Sequence, residues 1–248
     1  SSFHKPIGNW DISSVTKMNG MFDGADSFNQ PIGNWDVSAV EGMAYMFLAA
    51  SSFNQDIGDW NVSAVTNMNY MFSQSSSFNK PIGNWDIYAV TTMTDMFKST
   101  PAFSDTNKGV IHESFSSNSN WPYDWRQFVV IDNSNFQTAV DLWFTNQSEA
   151  ISTYGHISDW NVSSVTNMAY AFKDRTNFNE DISGWDMSNV TTIGGMFQGA
   201  SLFNQPIGNW NVSKVKWMTE AFSGASSFNQ PIGNWDVSAV HQMGYMFS

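Results

Sequence analysis

The clearest pattern along the chain is a 25-residue alternation of apolar and polar positions. One tryptophan and two phenylalanines recur at this spacing in eight units. The unit reads approximately F-N-Q-P-I-G-N-W-D-V-S-x-V-T-x-M-x-x-M-F-x-x-A-S-S. A fixed period of this size is typical of a solenoid, in which each coil buries its apolar side against its neighbours. The phased tryptophans are Trp10, Trp35, Trp60, Trp85, Trp160, Trp185, Trp210 and Trp235.

Two apolar spacings within the unit predict two elements. Trp35 and Val37 are two residues apart, which predicts a very short strand with both side chains inward and Asp36 outward. The T-x-M-x-x-M-F segment has apolar spacings of three and four, which predict one or two helical or 3-10 turns on the opposite side. The sequence therefore predicts a repeat solenoid with short parallel strands on one face and helical or 3-10 turns on the other.

The same positions carry a family resemblance. The pattern I-x-x-W-x-V-x-x-V-x-x-M-x-x-M-F resembles the L-x-x-L-x-L motif of leucine-rich repeats, with Trp and Met in place of several Leu. The whole unit is similar to the BspA-type leucine-rich-repeat surface proteins, including related lipoprotein repeats of mycoplasmas, over residues 1–105 and 155–248. This resemblance implies a leucine-rich-repeat-like fold, a secreted or surface-anchored location and, in several members, adhesion. Tyr88, in place of the repeated serine, is a local departure.

The middle of the chain loses the motif. Apolar residues at about 107–128, ending in W-P-Y-D-W, predict a C-terminal cap over the first array. Ser134 and Gln137 fit a capping box that starts an N-terminal helical cap at about 132–156. A second helix is expected from about Ser148 to Tyr154, ending at Gly155.

We therefore predict two domains. The first, residues 1–128, has four full coils, the start of a fifth and its cap. The second, residues 129–248, has the helical cap followed by four coils, and residues 128–131 form a connecting strand.

The two outer ends match in repeat phase. Phe247-Ser248 and Ser1-Ser2-Phe3 would join into one unit after two added residues. A fragment of a longer protein with several arrays, a repeating segment of a filament, and a permutation or chance remain open as explanations. We expect the coil ending at Ser248 to stack in register against a coil beginning like Ser1, supplied by the next chain or the next segment.

Composition and charge narrow the class of protein. Aromatic residues make up 16% of the chain and charged residues 13%, which favours a large core over disorder. The net charge of −12 disfavours nucleic acid and anionic membranes as partners. Cysteine is absent, so disulfides and thiolate metal sites are excluded. No apolar run is long enough to predict a transmembrane segment.

Two columns of repeated side chains are candidate contact surfaces. The outward position after each tryptophan could serve as a local hydrogen-bond acceptor, as a ligand- or glycan-contacting face, or as a calcium ligand. A second position is expected to show tyrosine hydroxyls on the convex side. The first column is Asp11, Asp36, Asn61, Asp86, Asn161, Asp186, Asn211 and Asp236; the second is Tyr45, Tyr70, Tyr170 and Tyr245.

Other candidate chemistry is sparse. The four histidines are scattered without a spaced partner, so we expect no enzyme, no catalytic residue, no metal site and no cofactor. N-x-S/T sequons predict glycan acceptors if the protein is secreted by a eukaryote. They are Asn61, Asn146, Asn161, Asn189 and Asn211, of which Asn146 is the best candidate because the repeat does not require it.

Three functions remain open from the sequence. The first is a non-enzymatic extracellular or cell-surface structural or adhesive solenoid that contacts protein or glycan surfaces along its length. The second is a segment of a surface filament or appendage, stacked end to end on other copies or on neighbouring segments. The third is a binder of a periodic ligand such as a polysaccharide.

Overall fold

The computed structural model describes residues 5–248, so Phe3, the first phased phenylalanine, and the rest of 1–4 lie outside the described residues. The chain forms two compact units, Ser1–Val129 and Val130–Ser248. Each unit contains four coils, which we number 1 to 8 along the chain. Coils 1 to 4 span residues 5–25, 26–50, 51–75 and 76–100, and coils 5 to 8 span residues 156–175, 176–200, 201–225 and 226–248.

The strand predicted at each tryptophan is wrong. Residues 5–248 contain no β-strand, and their parallel pairing is confined to isolated bridges. In coil 2 the Trp35 N–H donates to Ile32 O at 3.1 Å, and the Ser38 N–H donates to Asp36 Oδ1 at 3.1 Å. Local turns thus take the amide protons that a strand would offer to its neighbour. The bridges lie seven residues further on, at Lys17–Gly42, Gly42–Asn67, Asn67–Thr92, Asn167–Thr192, Thr192–Trp217 and Trp217–Gln242, with one more at Asp132–Ser164.

The helical turns predicted for the M-x-x-M-F segment are also wrong, because this segment forms successive β-turns. In coil 1 the Met21 N–H donates to Met18 O at 3.2 Å, and the Ala25 N–H donates to Phe22 O at 3.1 Å. The third residue of the first turn is Gly20, with a φ of 64°, as type II turns require. Helices and such turns share apolar spacings of three and four, so the spacing alone could not separate them.

A run of backbone hydrogen bonds between coils lies on this turn side. The Phe47 N–H donates to Met71 O, and the Phe72 N–H to Met96 O, both at 2.9 Å. Every second amide of the segment donates to the next coil, while the intervening amides close the turns. A leucine-rich-repeat fold built on a parallel sheet is therefore wrong for this chain, and stacked β-turns connect the coils instead.

Stacked aromatic columns form the core. Phe47 of coil 2 lies 3.8 Å from Phe53 and 5.6 Å from Phe72, both of coil 3, between ring centroids. Trp60 and Trp85 stack at 6.4 Å with nearly parallel rings. The predicted inward orientation of the tryptophans is confirmed in coils 2 to 8, where each is buried, whereas Trp10 of coil 1 is 53% exposed.

Residues 5–248 contain three α-helices and three 3-10 helices, and two of the 3-10 helices lie within coils 5 and 7. Ser134 does not cap α2 as predicted, because Asn135 is the N-cap residue and the Ser134 hydroxyl donates to Asp132 Oδ1 at 2.6 Å. The predicted helix that stops at Gly155 is confirmed. The connecting strand at 128–131 is wrong. The helices are α1 (Asp105–Phe115), α2 (Phe136–Thr145) and α3 (Gln147–Tyr154), and the 3-10 helices are Arg126–Phe128, Ile157–Asp159 and Ile207–Asn209.

In the first unit, three aromatic residues after α1 cover coil 4, and we name them the aromatic layer: Trp121, Tyr123 and Trp125. The Phe97 ring lies 5.6 Å from Trp125 and 6.1 Å from Tyr123. The Phe97 N–H, which in interior coils would donate to the next coil, donates to Tyr123 Oη at 2.8 Å. The layer therefore replaces both the packing and a hydrogen-bond acceptor of a further coil.

In the second unit, α2 and the loop before it cover coil 5. Trp143 packs edge-on against Trp160 at 6.2 Å. Asn133 Oδ1 accepts the Thr166 N–H at 2.9 Å, a bond that a backbone carbonyl of the preceding coil accepts elsewhere in the array. Side chains outside the repeat thus cover this face of coil 5 and accept one of its backbone hydrogen bonds.

Candidate contact surfaces

The column of Asp and Asn after the tryptophans, which we name the Asx row, is exposed in all eight coils. Asp36 Oδ1 accepts both the N–H and the hydroxyl of Ser38, at 3.1 and 2.6 Å. The Ser38 hydroxyl, followed by its N–H, stabilises the carboxylate and lowers the pKa of Asp36. Asn61 Oδ1 accepts the same two bonds from Ser63, at 3.2 and 2.8 Å.

This shared turn explains why Asp and Asn interchange along the row. Only an acceptor oxygen is required, and both side chains supply one. Within residues 5–248 no group of three or more His, Asp or Glu side chains is arranged to hold a metal ion. The row contributes a local structural bond in each coil, and its use as a binding face stays a prediction.

Coil 4 departs from the row. Tyr88 stands where the other coils have serine, and its side chain is 95% exposed. The Tyr88 N–H still donates to Asp86 Oδ1, at 3.0 Å, but no hydroxyl follows it to the carboxylate. Beside these two residues lies an open pocket of about 510 Å³. Tyr88 departs from the repeat in the sequence, but residue spacing does not place the end of α1 beside it.

The tyrosine row is brought together only in part. Tyr45 and Tyr70 have parallel rings with centroids 5.2 Å apart. Tyr170 packs instead over Gly195, and Tyr245 lies in the last coil. All four tyrosines have positive φ, between 56° and 61°. The contact pair in this row is therefore Tyr45 and Tyr70.

The sequon asparagines differ in their surroundings. Asn146 caps α3 and its Nδ2 donates to Glu149 Oε2 at 2.9 Å, while Asn189 Nδ2 donates to Ser163 O at 2.9 Å. The other three belong to the Asx row, where the side-chain oxygen is the bonded atom. Nothing in these contacts tests glycosylation, which stays a prediction.

Coils 1 and 8 each present a face whose backbone groups, which pair between interior coils, have no hydrogen-bond partner within residues 5–248. On coil 8 these are the amide protons of Met243, Tyr245 and Phe247. On coil 1 they are carbonyls, among them those of Asn19 and Met21. An open apolar pocket of about 320 Å³ lies on coil 1; its lining includes Ile7, Trp10, Met21, Phe22 and Phe28.

Comparison with known proteins gives a family match over most of the chain. Residues 1–109 and 138–248 match a family described as Mycoplasma protein of unknown function, DUF285. No curated protein and no solved structure matches the chain. Among the described residues, no helix has both the length and the apolar character needed to cross a bilayer.

Proposed function

Since the chain belongs to the DUF285 family of unknown function, we propose its role from the surfaces described above. The protein is a non-enzymatic structural or adhesive array, located outside the cell or on its surface, that contacts partners through side chains repeated from coil to coil. The similarity of the repeat to BspA-type surface proteins supports this location. The observation that carries the proposal is the stacked Tyr45–Tyr70 pair, in which two neighbouring coils place one exposed and one half-buried tyrosine side by side.

Two adjacent tyrosines suit a contact surface. Each ring offers apolar area and a hydroxyl at little cost in side-chain entropy, which is why tyrosine is frequent in protein interfaces. Tyr45 is 42% exposed although the neighbouring Met46 and Phe47 are fully buried. The core of the coil is therefore filled by other side chains, and the Tyr45 ring remains accessible to a partner. The net charge of −12 favours neutral or basic partner surfaces.

The test is binding of the purified chain to immobilised matrix proteins and polysaccharides, measured by biolayer interferometry. The Tyr45→Gly/Tyr70→Gly variant keeps the left-handed backbone, because glycine occupies this position naturally at Gly20 and Gly195. We expect it to weaken binding about tenfold, in line with loss of one strong contact. The matched control is Tyr170→Gly, which removes an isolated tyrosine. Equal binding by all three proteins, or no binding by the unmodified chain, would contradict the proposal.

A second candidate function, end-to-end stacking of copies, is favoured by the faces of coils 1 and 8. The free amide protons of coil 8 and the free carbonyls of coil 1 occupy the donor and acceptor positions that pair between interior coils. Trp10 Nε1 could donate to Ile232 O of the other copy, as Trp235 Nε1 donates to Ile207 O at 3.1 Å. A coil of the same kind therefore complements each face.

Electron microscopy and sedimentation at rising protein concentration test this stacking. We expect fibres or oligomers with a regular axial repeat, and we expect Phe247→Asp to abolish them by placing a charge against the phenylalanine column. Asp236→Asn, a change that leaves the stacking face intact, serves as the control. Monomers at every concentration would contradict the candidate.

A further inference from the structure

The pocket beside Tyr88 in the first unit is an exposed surface feature that the repeat does not explain. It lies between coil 4 and the end of α1 and has a volume of about 510 Å³. We propose that this pocket binds a neutral saccharide, with Tyr88 as the stacking platform and Asp86 as the principal hydrogen-bond acceptor. The site is separate from the Tyr45–Tyr70 pair, so this proposal goes beyond the function proposed above and either can fail without the other.

The aromatic wall of the pocket is unusual for this chain. The equivalent residue in seven other coils is a serine, and the Tyr88 ring packs into no core, since it is 95% exposed. An exposed ring offers a flat apolar face, which suits the C–H face of a pyranose while the phenol oxygen remains hydrated. The substitution adds apolar surface at a coil where a pocket adjoins the row.

The acceptor at this coil, Asp86, accepts fewer hydrogen bonds than Asp36 of coil 2. In coil 2 the Ser38 hydroxyl donates to Asp36 Oδ1 at 2.6 Å, in addition to the amide bond. Asp86 accepts only the Tyr88 N–H, at 3.0 Å. Its exposed carboxylate therefore retains acceptor capacity for ligand hydroxyls, and hydrogen bonds to a charged acceptor are the stronger kind.

The opposite wall is polar and fixed in place. Asn118 lies in the loop after α1, and its Nδ2 donates to Ile87 O at 2.8 Å and to Val90 O at 3.0 Å. Its Oδ1 accepts the Asn120 N–H at 2.8 Å. These bonds attach the loop to coil 4, so the pocket exists before a ligand arrives and little ordering entropy is lost on binding.

Hydroxyl and amide groups on this wall complete the match to a sugar. Ser114, Ser117, Ser119 and Asn120 line the pocket with exposed side chains. These groups both donate and accept, as sugar hydroxyls do. The carboxylate of Asp86 and the overall charge of −12 act against sialylated, sulfated or phosphorylated ligands, so the ligand class is a neutral saccharide.

The test uses the whole chain and a panel of neutral oligosaccharides of glucose, galactose, mannose and N-acetylglucosamine, with sialylated and sulfated glycans as a comparison set. Binding is read by saturation-transfer NMR and by titration calorimetry. We expect at least one neutral oligosaccharide to bind and the acidic glycans to bind more weakly. If no neutral oligosaccharide binds, or only acidic glycans do, the proposal is overturned.

Three variants place the binding at this pocket. Tyr88→Ser restores the residue that other coils carry, so it should fold normally and weaken binding about tenfold or more by loss of stacking. Asp86→Asn keeps the turn, as Asn61 does, and should weaken binding several-fold by loss of the charged acceptor. Ser38→Tyr, which creates the same ring away from the pocket, should change nothing. Binding that survives Tyr88→Ser, or is lost equally in Tyr45→Gly/Tyr70→Gly, would overturn the assignment.

Discussion

At the scale of the residue, each phased tryptophan contributes packing and one directed bond. Trp60 stacks on Trp85, and its Nε1 donates to Ile32 O of the preceding repeat at 3.2 Å. The buried indole N–H therefore has a partner, which removes the penalty for burying it. The carbonyl it uses belongs to a turn rather than to a strand, so the tryptophan side chain bridges the coils where a backbone ladder is missing.

Trp60→Ala should lower the free energy of unfolding by about 3–5 kcal/mol, the range for truncation of a large aromatic in a core. The side chain is 3% exposed, so its removal leaves a cavity and takes away one of the two hydrogen bonds that Ile32 O accepts. Chemical denaturation followed by circular dichroism measures the change. A loss below about 1 kcal/mol would show that the column does not carry the stability of the coil.

Asp36→Asn should leave stability almost unchanged, because Asn61 forms the same turn in the next coil. Asp36→Ala removes the acceptor for Ser38 and should cost about 1 kcal/mol, as for loss of a comparable side-chain cap. Comparing the two variants separates the contribution of the acceptor oxygen to stability from that of the negative charge. A cost for Asp36→Asn equal to that for Asp36→Ala would mean that charge, and not the turn, selects this residue.

At the scale of the element, the order of buried and exposed positions could be predicted but the backbone could not. Burial of Trp35 and Val37 and exposure of Asp36 follow from spacing alone. Whether the segment forms a strand or a turn depends on which acceptor each backbone amide bonds. Here the Ser38 N–H donates to Asp36 within the same turn and not to a neighbouring coil. The left-handed φ values at Tyr45 and Ala49 could not be predicted, because neither residue is the glycine that usually indicates such a backbone. The pocket at Tyr88 needed the position of the α1 loop, which no spacing supplies.

The aromatic layer predicts an alkaline loss of stability in the first unit. Burial raises the pKa of Tyr123 to about 12, against the smaller opposing effect of the Phe97 N–H bond. A raised pKa means that the unfolded chain loses this proton first, so its contribution is complete below about pH 10 and falls from there to about pH 12. Stability of unmodified protein and Tyr123→Phe, compared from pH 8 to 12, should show the steeper fall in the unmodified protein. Parallel curves would contradict the assignment.

Helix α1 contains a glycine that packing explains. A Cβ at Gly109 would overlap the carbonyl of Phe128 in the 3-10 helix, a backbone group that cannot move aside alone. In an exposed helix, replacing glycine by alanine stabilises by about 1 kcal/mol. Here Gly109→Ala should instead destabilise by about 1–3 kcal/mol, as overpacking does. Thr106→Ala, at an exposed position of the same helix, is the control and should be neutral or slightly stabilising in thermal denaturation.

At the scale of the whole molecule, the two compact units divide the chain at Val129 and Val130. Each coil is bound to its neighbours by aromatic stacking and turn-to-turn hydrogen bonds, so stability accumulates from coil to coil. Non-repetitive residues cover two coils that lack a neighbouring coil on one side. The aromatic layer covers coil 4, and α2 with Asn133 covers coil 5. The repeated residues therefore form the contacts between coils, and the non-repetitive segments cover coil 4 and coil 5.

This division of labour predicts that the second unit folds by itself only when α2 and α3 are present. Residues 130–248 should give a cooperative thermal transition and a strong near-ultraviolet signal, because Trp143 and Phe144 cover Trp160 and Phe172. Residues 156–248 retain all four coils but expose the face of coil 5, and an uncovered apolar face of this kind favours aggregation. Equal folding of the two fragments would show that α2 and α3 are dispensable. Failure of both would place the stability of the unit outside its own residues.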